Sequence, residues 1–214
     1  MPIASNLKAT QNSLPKEVTL VAISKTKPNT AILEAYLAGQ RVFGENKVQE
    51  LAQKAEELPK DIAWHMIGHL QTNKVKFIAP FVSLIHAVDS LKLLKEINKR
   101  AEQNNRIIDC LLQVHIATES SKFGFGIEEV KSALNQTKEF QNIKIVGLMG
   151  MATFTDDTQQ VAQEFKNLKT VFDSIKNDTI TNLSMGMSGD YKLAIEQGST
   201  MVRVGSAIFG HRNK

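Results

Sequence analysis

The chain of 214 residues holds one cysteine, so no disulfide can form within it, and a reducing compartment suits it. That residue, Cys110, lies in the apolar run Ile107-Ile108-Asp109-Cys110-Leu111-Leu112, which reads as core packing rather than as a nucleophile. No apolar run approaches the length of a membrane span, and Met1-Pro2-Ile3-Ala4-Ser5-Asn6 lacks the basic and apolar blocks of a signal peptide. The expected location is therefore the cytoplasm. No block of one charge stands out either. The formal net charge is +4, yet the lysines (Lys92, Lys95, Lys99; Lys166, Lys169, Lys176) are spread along helical patterns and interleaved with acids. That is the pattern of a solvated face, which argues against nucleic acid as a partner.

What is present is ordinary globular composition, 42% hydrophobic and 22% charged. Short β-branched runs alternate with longer amphipathic stretches. Val18–Ser24, Arg41–Gly44, Ala63–Ile67, Val82–Val88, Ile107–Ile116, Ile143–Met149, Asn182–Met185 and Met201–Val204 read as strands. Helical patterns follow them: Thr30–Ala38, Asn46–Leu58, Gln71–Ala79, Ser90–Gln103, Ile127–Glu139, Asp157–Lys176, Asp190–Gln197 and a short helix from Ser206. Strands alternating with helices imply a parallel sheet covered by helices. About eight repeats in this length favour a single (β/α)8 TIM-type barrel over an open doubly wound sheet. An extra N-terminal helix over Ile3–Asn12 precedes it, and no linker divides residues 1–214, so one domain is expected.

In such barrels the loops at the C-terminal ends of the strands build the site. Lys25 closes the run Val21-Ala22-Ile23-Ser24-Lys25-Thr26-Lys27-Pro28, and alternation puts it on the face of Val21 and Ile23. Inside the barrel its ammonium would sit over an apolar floor, and desolvation favours the free amine that Schiff-base formation needs. Lys27 is the better candidate for a lysine turned to water. Near the end of the chain Ser184-Met185-Gly186-Met187-Ser188-Gly189-Asp190 and Arg203-Val204-Gly205-Ser206-Ala207 each follow a strand and open a helix. Backbone N–H groups, glycines and serine hydroxyls there suit a phosphate, as do the last two strand–helix turns of this fold. Arg203 shares a face with Met201 and Gly205. A barrel-facing arginine needs an acceptor, either a structural carboxylate or a ligand atom. Facing a pyridine nitrogen it would donate a hydrogen bond and leave that ring unprotonated, a poorer electron sink.

Other residues read more plainly. Asn46 lies past the second strand, where it either reaches a ligand or caps the next helix. His65 and His69 have a ligand-like spacing but straddle a strand end and a glycine, so zinc is not expected. His86 and His115 read as strand histidines with core hydrogen bonds. Met149, Met151, Met185 and Met187 sit at strand ends, most of them as filling.

Several segments resemble the signatures of the pyridoxal 5′-phosphate (PLP) homeostasis proteins, the YggS/PROSC type. They are Ile23-Ser24-Lys25-Thr26-Lys27-Pro28, Phe43-Gly44-Glu45-Asn46, Trp64-His65-Met66-Ile67-Gly68-His69-Leu70-Gln71-Thr72-Asn73-Lys74 and Ser121-Lys122-Phe123-Gly124-Phe125. Gly147-Leu148-Met149-Gly150-Met151, Leu183-Ser184-Met185-Gly186-Met187-Ser188 and Arg203-Val204-Gly205-Ser206-Ala207-Ile208-Phe209-Gly210 complete the set, in order from about Val18 to Gly210. The resemblance implies a monomeric barrel similar to the N-terminal domain of alanine racemase. It implies Lys25 as the Schiff-base lysine, Arg203 as the partner of the pyridine nitrogen, and Ser188, Gly205 and Ser206 as phosphate ligands, with Asn46 against the cofactor. Ser206 stands where many members have threonine, and Gly189 where an acidic residue is common.

The function this implies is storage or delivery of PLP and balance of amino and keto acids, without established turnover, with PLP-dependent apo-enzymes as transient partners. An amino-acid racemase with weak activity is the alternative. Efficient racemisation needs a second acid–base group opposite the lysine, and the only tyrosines, Tyr36 and Tyr191, both read as helix residues. A Schiff-base aldolase would share the barrel, the lysine and the phosphate loops but leave Arg203 without a purpose.

Overall fold

The structure is a computed structural model that describes residues 2–119 and 123–210. Its strands are β1 (Thr19–Ile23), β2 (Val42–Glu45), β3 (Ala63–Met66), β4 (Leu84–Val88), β5 (Ile108–Val114), β6 (Ile143–Gly150), β7 (Asn182–Met187) and β8 (Met201–Val204). They close into a parallel barrel in chain order, with β8 pairing back onto β1 from Thr19↔Met201 to Ala22↔Val204. The helices are α1 (Ile3–Asn12), α2 (Asn29–Leu37), α3 (Val48–Glu57), α4 (Val75–Ile78), α5 (Leu91–Gln103), α6 (Val130–Thr137), α7 (Thr158–Asp173), α8 (Tyr191–Glu196) and α9 (Ser206–Phe209). The expected (β/α)8 barrel with its extra N-terminal helix is thus the observed fold.

Strand alternation sorts the core into two parts. Val21 and Ile23 point inward to join Leu84, Ala87, Leu111, Val146, Met149 and Met201 in an inner cluster. Leu20 and Ala22 point outward, into the larger cluster between sheet and helices that holds Phe43, Trp64, Phe165 and Phe172. Cys110 is buried in that outer layer, where burial pushes its thiol well up, so it is packing and not a nucleophile. Strand β6 carries an extra residue where its pairing with β5 shifts beyond Cys110↔Ile145. Just past it stands Gly147, where any Cβ would lie 1.7 Å from the carbonyl oxygen of Asn182, so only glycine fits.

Helix ends follow the expected chemistry at some places and not at others. Ser90 Oγ accepts from Leu93 N at 3.3 Å, and Asp157 caps α7 by accepting from Gln159 N and Gln160 N. The helix expected over Gln71–Ala79 is instead a 3₁₀ turn, Thr72–Lys74, followed by the single turn of α4. Pro80 bars continuation there, and the Arg106 guanidinium takes the free carbonyls of Ala79 and Val82 at 2.6 and 2.8 Å. The helix expected over Ile127–Glu139 likewise starts as a 3₁₀ turn, with Glu129 Oε2 accepting from Gly126 N at 2.6 Å. Helix α1 packs on α2 and α9 and buries Leu7 completely.

One polar cluster lies between sheet and helix, directly behind the loop that carries Lys25. Lys54 of α3 is 5% exposed, and its Nζ donates to Glu45 Oε1 and Glu50 Oε1, each at 2.7 Å, and to Ser24 O at 2.9 Å. Ser24 Oγ donates to the same Glu45 oxygen at 2.6 Å, and Thr26 N to Glu50 Oε1 at 2.6 Å. Thr26 has φ +65°, an unfavourable setting for a β-branched residue that survives only where its surroundings impose it. Glu50 and Lys54 thus hold the backbone on both sides of Lys25. Burial raises the Glu45 carboxyl above its usual range, against the opposing pull of Lys54 and Ser24.

Removing Lys54 leaves the buried Glu45 without its cation, and Lys54→Ala is expected to cost on the order of 3–5 kcal/mol of unfolding free energy. The folded Glu45 carboxyl then rises further above its unfolded value. A carboxyl raised on folding favours the folded state while protonated, so the deficit is smallest in acid and grows as pH climbs through that value. Urea melts of both proteins across pH measure this, and a small, pH-independent deficit would show that the cluster is not what holds the loop.

Candidate functional site

A cavity of about 1040 Å³ opens over the inner cluster at the C-terminal ends of the strands. Lys25, Asn46, Ser188, Arg203, Gly205 and Ser206, singled out from distant parts of the sequence, all line it. They arrive from the ends of β1, β2, β7 and β8, which closure of the barrel makes neighbours. Lys25 continues the inward face of Ile23, as alternation predicts, and both residues line the cavity.

Arg203 is the most constrained of these groups. It is 4% exposed, and its Nη1 donates to Ser184 O at 3.0 Å and Ser184 Oγ at 2.6 Å, its Nη2 to Gly150 O at 3.1 Å. Burial lowers its pKa to about 10, with Asp190 opposing the fall, so it is still a cation at neutral pH. The acceptors are neither the carboxylate nor only the ligand atom that the sequence suggested: they are two carbonyls and a hydroxyl. Strand irregularity makes this possible. The β7–β8 register shifts between Ser184↔Met201 and Met187↔Arg203, placing an extra β7 residue opposite β8 and turning the Ser184 carbonyl toward the guanidinium.

The two glycine–serine loops meet. Gly205 N donates to Ser188 Oγ at 3.0 Å, so the end of β7 and the start of α9 form one wall. A Cβ on Gly205 would stand 3.1 Å from Ile23 O, so α9 approaches β1 closely enough that a side chain there would be crowded. At Gly189 a Cβ would meet nothing within 4 Å, so the loop has room for a side chain there. Ile208 N and Phe209 N bond Gly205 O at 3.0 and 2.9 Å, so Ser206 N and Ala207 N precede the first backbone bonds of α9, and the Ser206 side chain is exposed into the cavity.

Asn46 does not cap α3. The cap position falls on Lys47 and carries no side-chain bond, while Asn46 Oδ1 is buried with no partner among the described residues. An acceptor left so beside a cavity is matched by a ligand that donates. Gly68 lets the loop after β3 close on this residue, since a Cβ there would lie 2.4 Å from Asn46 O. The donor set as a whole fits PLP: an amine for its aldehyde, N–H and O–H groups for its phosphate, a cationic donor for its ring nitrogen, and an acceptor for its phenol.

Other expectations divide. Lys27 is not simply turned to water: its Nζ donates to Phe209 O and Gly210 O at 2.9 and 3.1 Å, capping the C-terminus of α9. His86 is a buried strand histidine with hydrogen bonds, but His115 lies past the end of β5 and bonds the loop carbonyl of Glu119 at 2.9 Å. His65 and His69 part company, His65 into the barrel and His69 onto Asp89 and the ring of Phe123. Met149 fills the barrel interior and Met185 the layer between sheet and helices, whereas Met151 and Met187 line the cavity. Ser121 and Lys122 lie outside the described residues. Sequence reasoning gave Ser184 and Glu45 no role of their own within their motifs, and passed over Glu50 and Lys54. Lys54 was findable, because it falls on the buried arc of α3 with Leu51 and Ala55.

Comparison with known proteins agrees with this geometry. The chain matches the family described as alanine racemase, N-terminal domain, over residues 2–213. A pyridoxal phosphate homeostasis protein of Aquifex aeolicus is 42% identical over 197 residues, covering 90% of this chain and 86% of that protein. PipY of Synechococcus elongatus, 36% identical, has been solved without PLP, with a TM-score of 0.92 over 97% of this chain and 100% of its own. Solved with PLP bound, it gives a TM-score of 0.88 over the same shares. The chain belongs to the alanine racemase N-terminal domain family, and within it to the pyridoxal phosphate homeostasis proteins.

Proposed function

We propose that residues 1–214 act as one PLP-binding domain that holds the cofactor as a Schiff base on Lys25 and serves its storage or delivery. The observation that carries this reading is the convergence of Lys25, Asn46, Ser188, Arg203, Gly205 and Ser206 on one cavity. PLP brings an aldehyde and an electron-withdrawing ring. The protein's part is to hold it: Lys25 bonds the aldehyde carbon, Ser188, Gly205 and Ser206 bind the phosphate, Asn46 accepts from the ring substituent, and Arg203 donates to the ring nitrogen. A permanent cation at that nitrogen keeps it unprotonated, which favours binding over carbanion chemistry.

The relatives are named for homeostasis and not for a reaction, and PipY, named with PLP bound, shares the fold closely. Neither tyrosine supplies the second acid–base group of a racemase. Tyr36 OH bonds Asp61 at 2.8 Å on the surface, and Tyr191 OH lies 3.2 Å from Ser13 Oγ, away from the cavity. An aldolase reading leaves a buried guanidinium facing the site with no ring nitrogen to meet. No helix among the described residues is long and apolar enough to cross a membrane. The working form in this reading is a cytoplasmic monomer whose partners are PLP and, transiently, apo-enzymes.

Purified protein loaded with PLP is expected to be yellow, and borohydride reduction followed by peptide mapping to label Lys25. Lys25→Ala is expected to lose the reducible link while retaining weaker, phosphate-dependent binding. A label on another lysine, or a protein that stays colourless with added PLP, would defeat the assignment. Arg203→Ala is expected to weaken PLP binding about ten- to a hundredfold, the worth of a hydrogen bond to a charged group. A large change in amino-acid turnover in that variant would instead point to a catalytic role.

A further inference from the structure

Two histidines inside the barrel have no part in the site as described so far, and both connect to it. His65 of β3, His86 of β4, Ser184 of β7 and Arg203 of β8 are 6%, 0%, 0% and 4% exposed. Arg203 Nη1 lies 2.6 Å from Ser184 Oγ, which lies 3.1 Å from His86 Nδ1; His86 Nε2 lies 3.0 Å from His65 Nδ1. The chain of bonds crosses the barrel from one wall to the other.

Its direction follows from the arginine end. A guanidinium only donates, so Ser184 Oγ accepts from it. Among the described residues the one acceptor in reach of the Ser184 proton is His86 Nδ1, so the hydroxyl donates there. His86 then carries its own proton on Nε2 and donates to His65 Nδ1. This order needs both rings neutral. Burial ensures that, taking His65 to about 3, while His86 falls well below its ordinary value through burial, His65 and Arg203. Each link turns its electron-rich atom toward Arg203. The oriented dipoles stabilise the cation without neutralising it, as an adjacent carboxylate would.

We infer that Ser184, His86 and His65 are positioning residues for the cofactor, a neutral hydrogen-bonded relay that keeps Arg203 aimed at the cofactor's ring nitrogen. The inference rests on the reading that places that nitrogen against Arg203. Its effect is selective: the relay strengthens binding only of a ligand with a ring nitrogen to receive the guanidinium. Shape, phosphate and aldehyde are recognised elsewhere in the cavity.

The test compares PLP with its deaza analogue, in which C–H replaces the ring nitrogen, by spectrophotometric titration of the full chain. The wild-type protein is expected to prefer PLP by about tenfold, the worth of one charged hydrogen bond. Ser184→Ala is expected to remove most of that preference, and His86→Leu about a threefold part of it, since it breaks a later link. Affinity for the analogue stays within about twofold in both, while Ser184→Thr, which keeps the hydroxyl, restores the preference. Ser184→Ala removes a single oxygen, and thermal melts check that it folds if His86→Leu does not. Equal loss of both ligands in Ser184→Ala, or an undiminished preference there, would overturn the inference and leave the proposed function standing. A wild-type protein that binds both ligands equally would overturn the placement of the nitrogen on Arg203 and the inference together.

Discussion

An arginine cannot shed its proton at working pH, and this protein places one inside a barrel whose inner apolar cluster is built of aliphatic side chains and methionines. Much of the barrel's mouth is arranged to meet that constraint. Strand β7 takes an extra residue so that the Ser184 carbonyl turns to Arg203. Strand β6 ends on a carbonyl, that of Gly150, that serves the same guanidinium. A serine stands where an aliphatic residue would otherwise fill the barrel. Leaving such a cation without acceptors would cost several kcal/mol, more than the packing that a larger apolar residue could add at the same place.

Among the described residues two cations are buried, and they are met in opposite ways. Lys54, behind the sheet, is met by Glu45 and Glu50 and has its charge cancelled. It braces a strained loop and is turned away from the cavity. Among the described residues Arg203, in front, is hydrogen-bonded only by carbonyls and a hydroxyl, so its field is left to act on whatever enters. Neutralised charge serves architecture here, and uncancelled charge faces the cavity.

The barrel was legible in the sequence because alternation and helix caps are local signals. Val21 and Ile23 announced the inward face that Lys25 continues, and Ser90 and Asp157 marked helix starts. The site was legible where glycine and serine gathered after strands. What escaped was set by pairings across long stretches of chain. Nothing near Ser184 says that β8 will bring Arg203 beside it, and nothing near Glu45 says that Lys54 will turn inward to meet it. Asn46 was open between two roles because the cap depends on where α3 starts, and it starts two residues later. Lys27 read as a solvent-facing lysine because its partners, Phe209 and Gly210, lie at the far end of the sequence.

The pairing of β8 with β1, reinforced by Lys27 on the end of α9, joins the first wall of the cavity to the last. Synthesis on the ribosome runs from one of these walls to the other. Lys25 emerges early, while Arg203, Gly205 and Ser206 emerge only with the final strand and helix. Until then a nascent chain lacks Arg203 and the second glycine–serine loop. The complete cavity therefore belongs to the finished barrel, and a chain stalled before β8 would lack one of its walls.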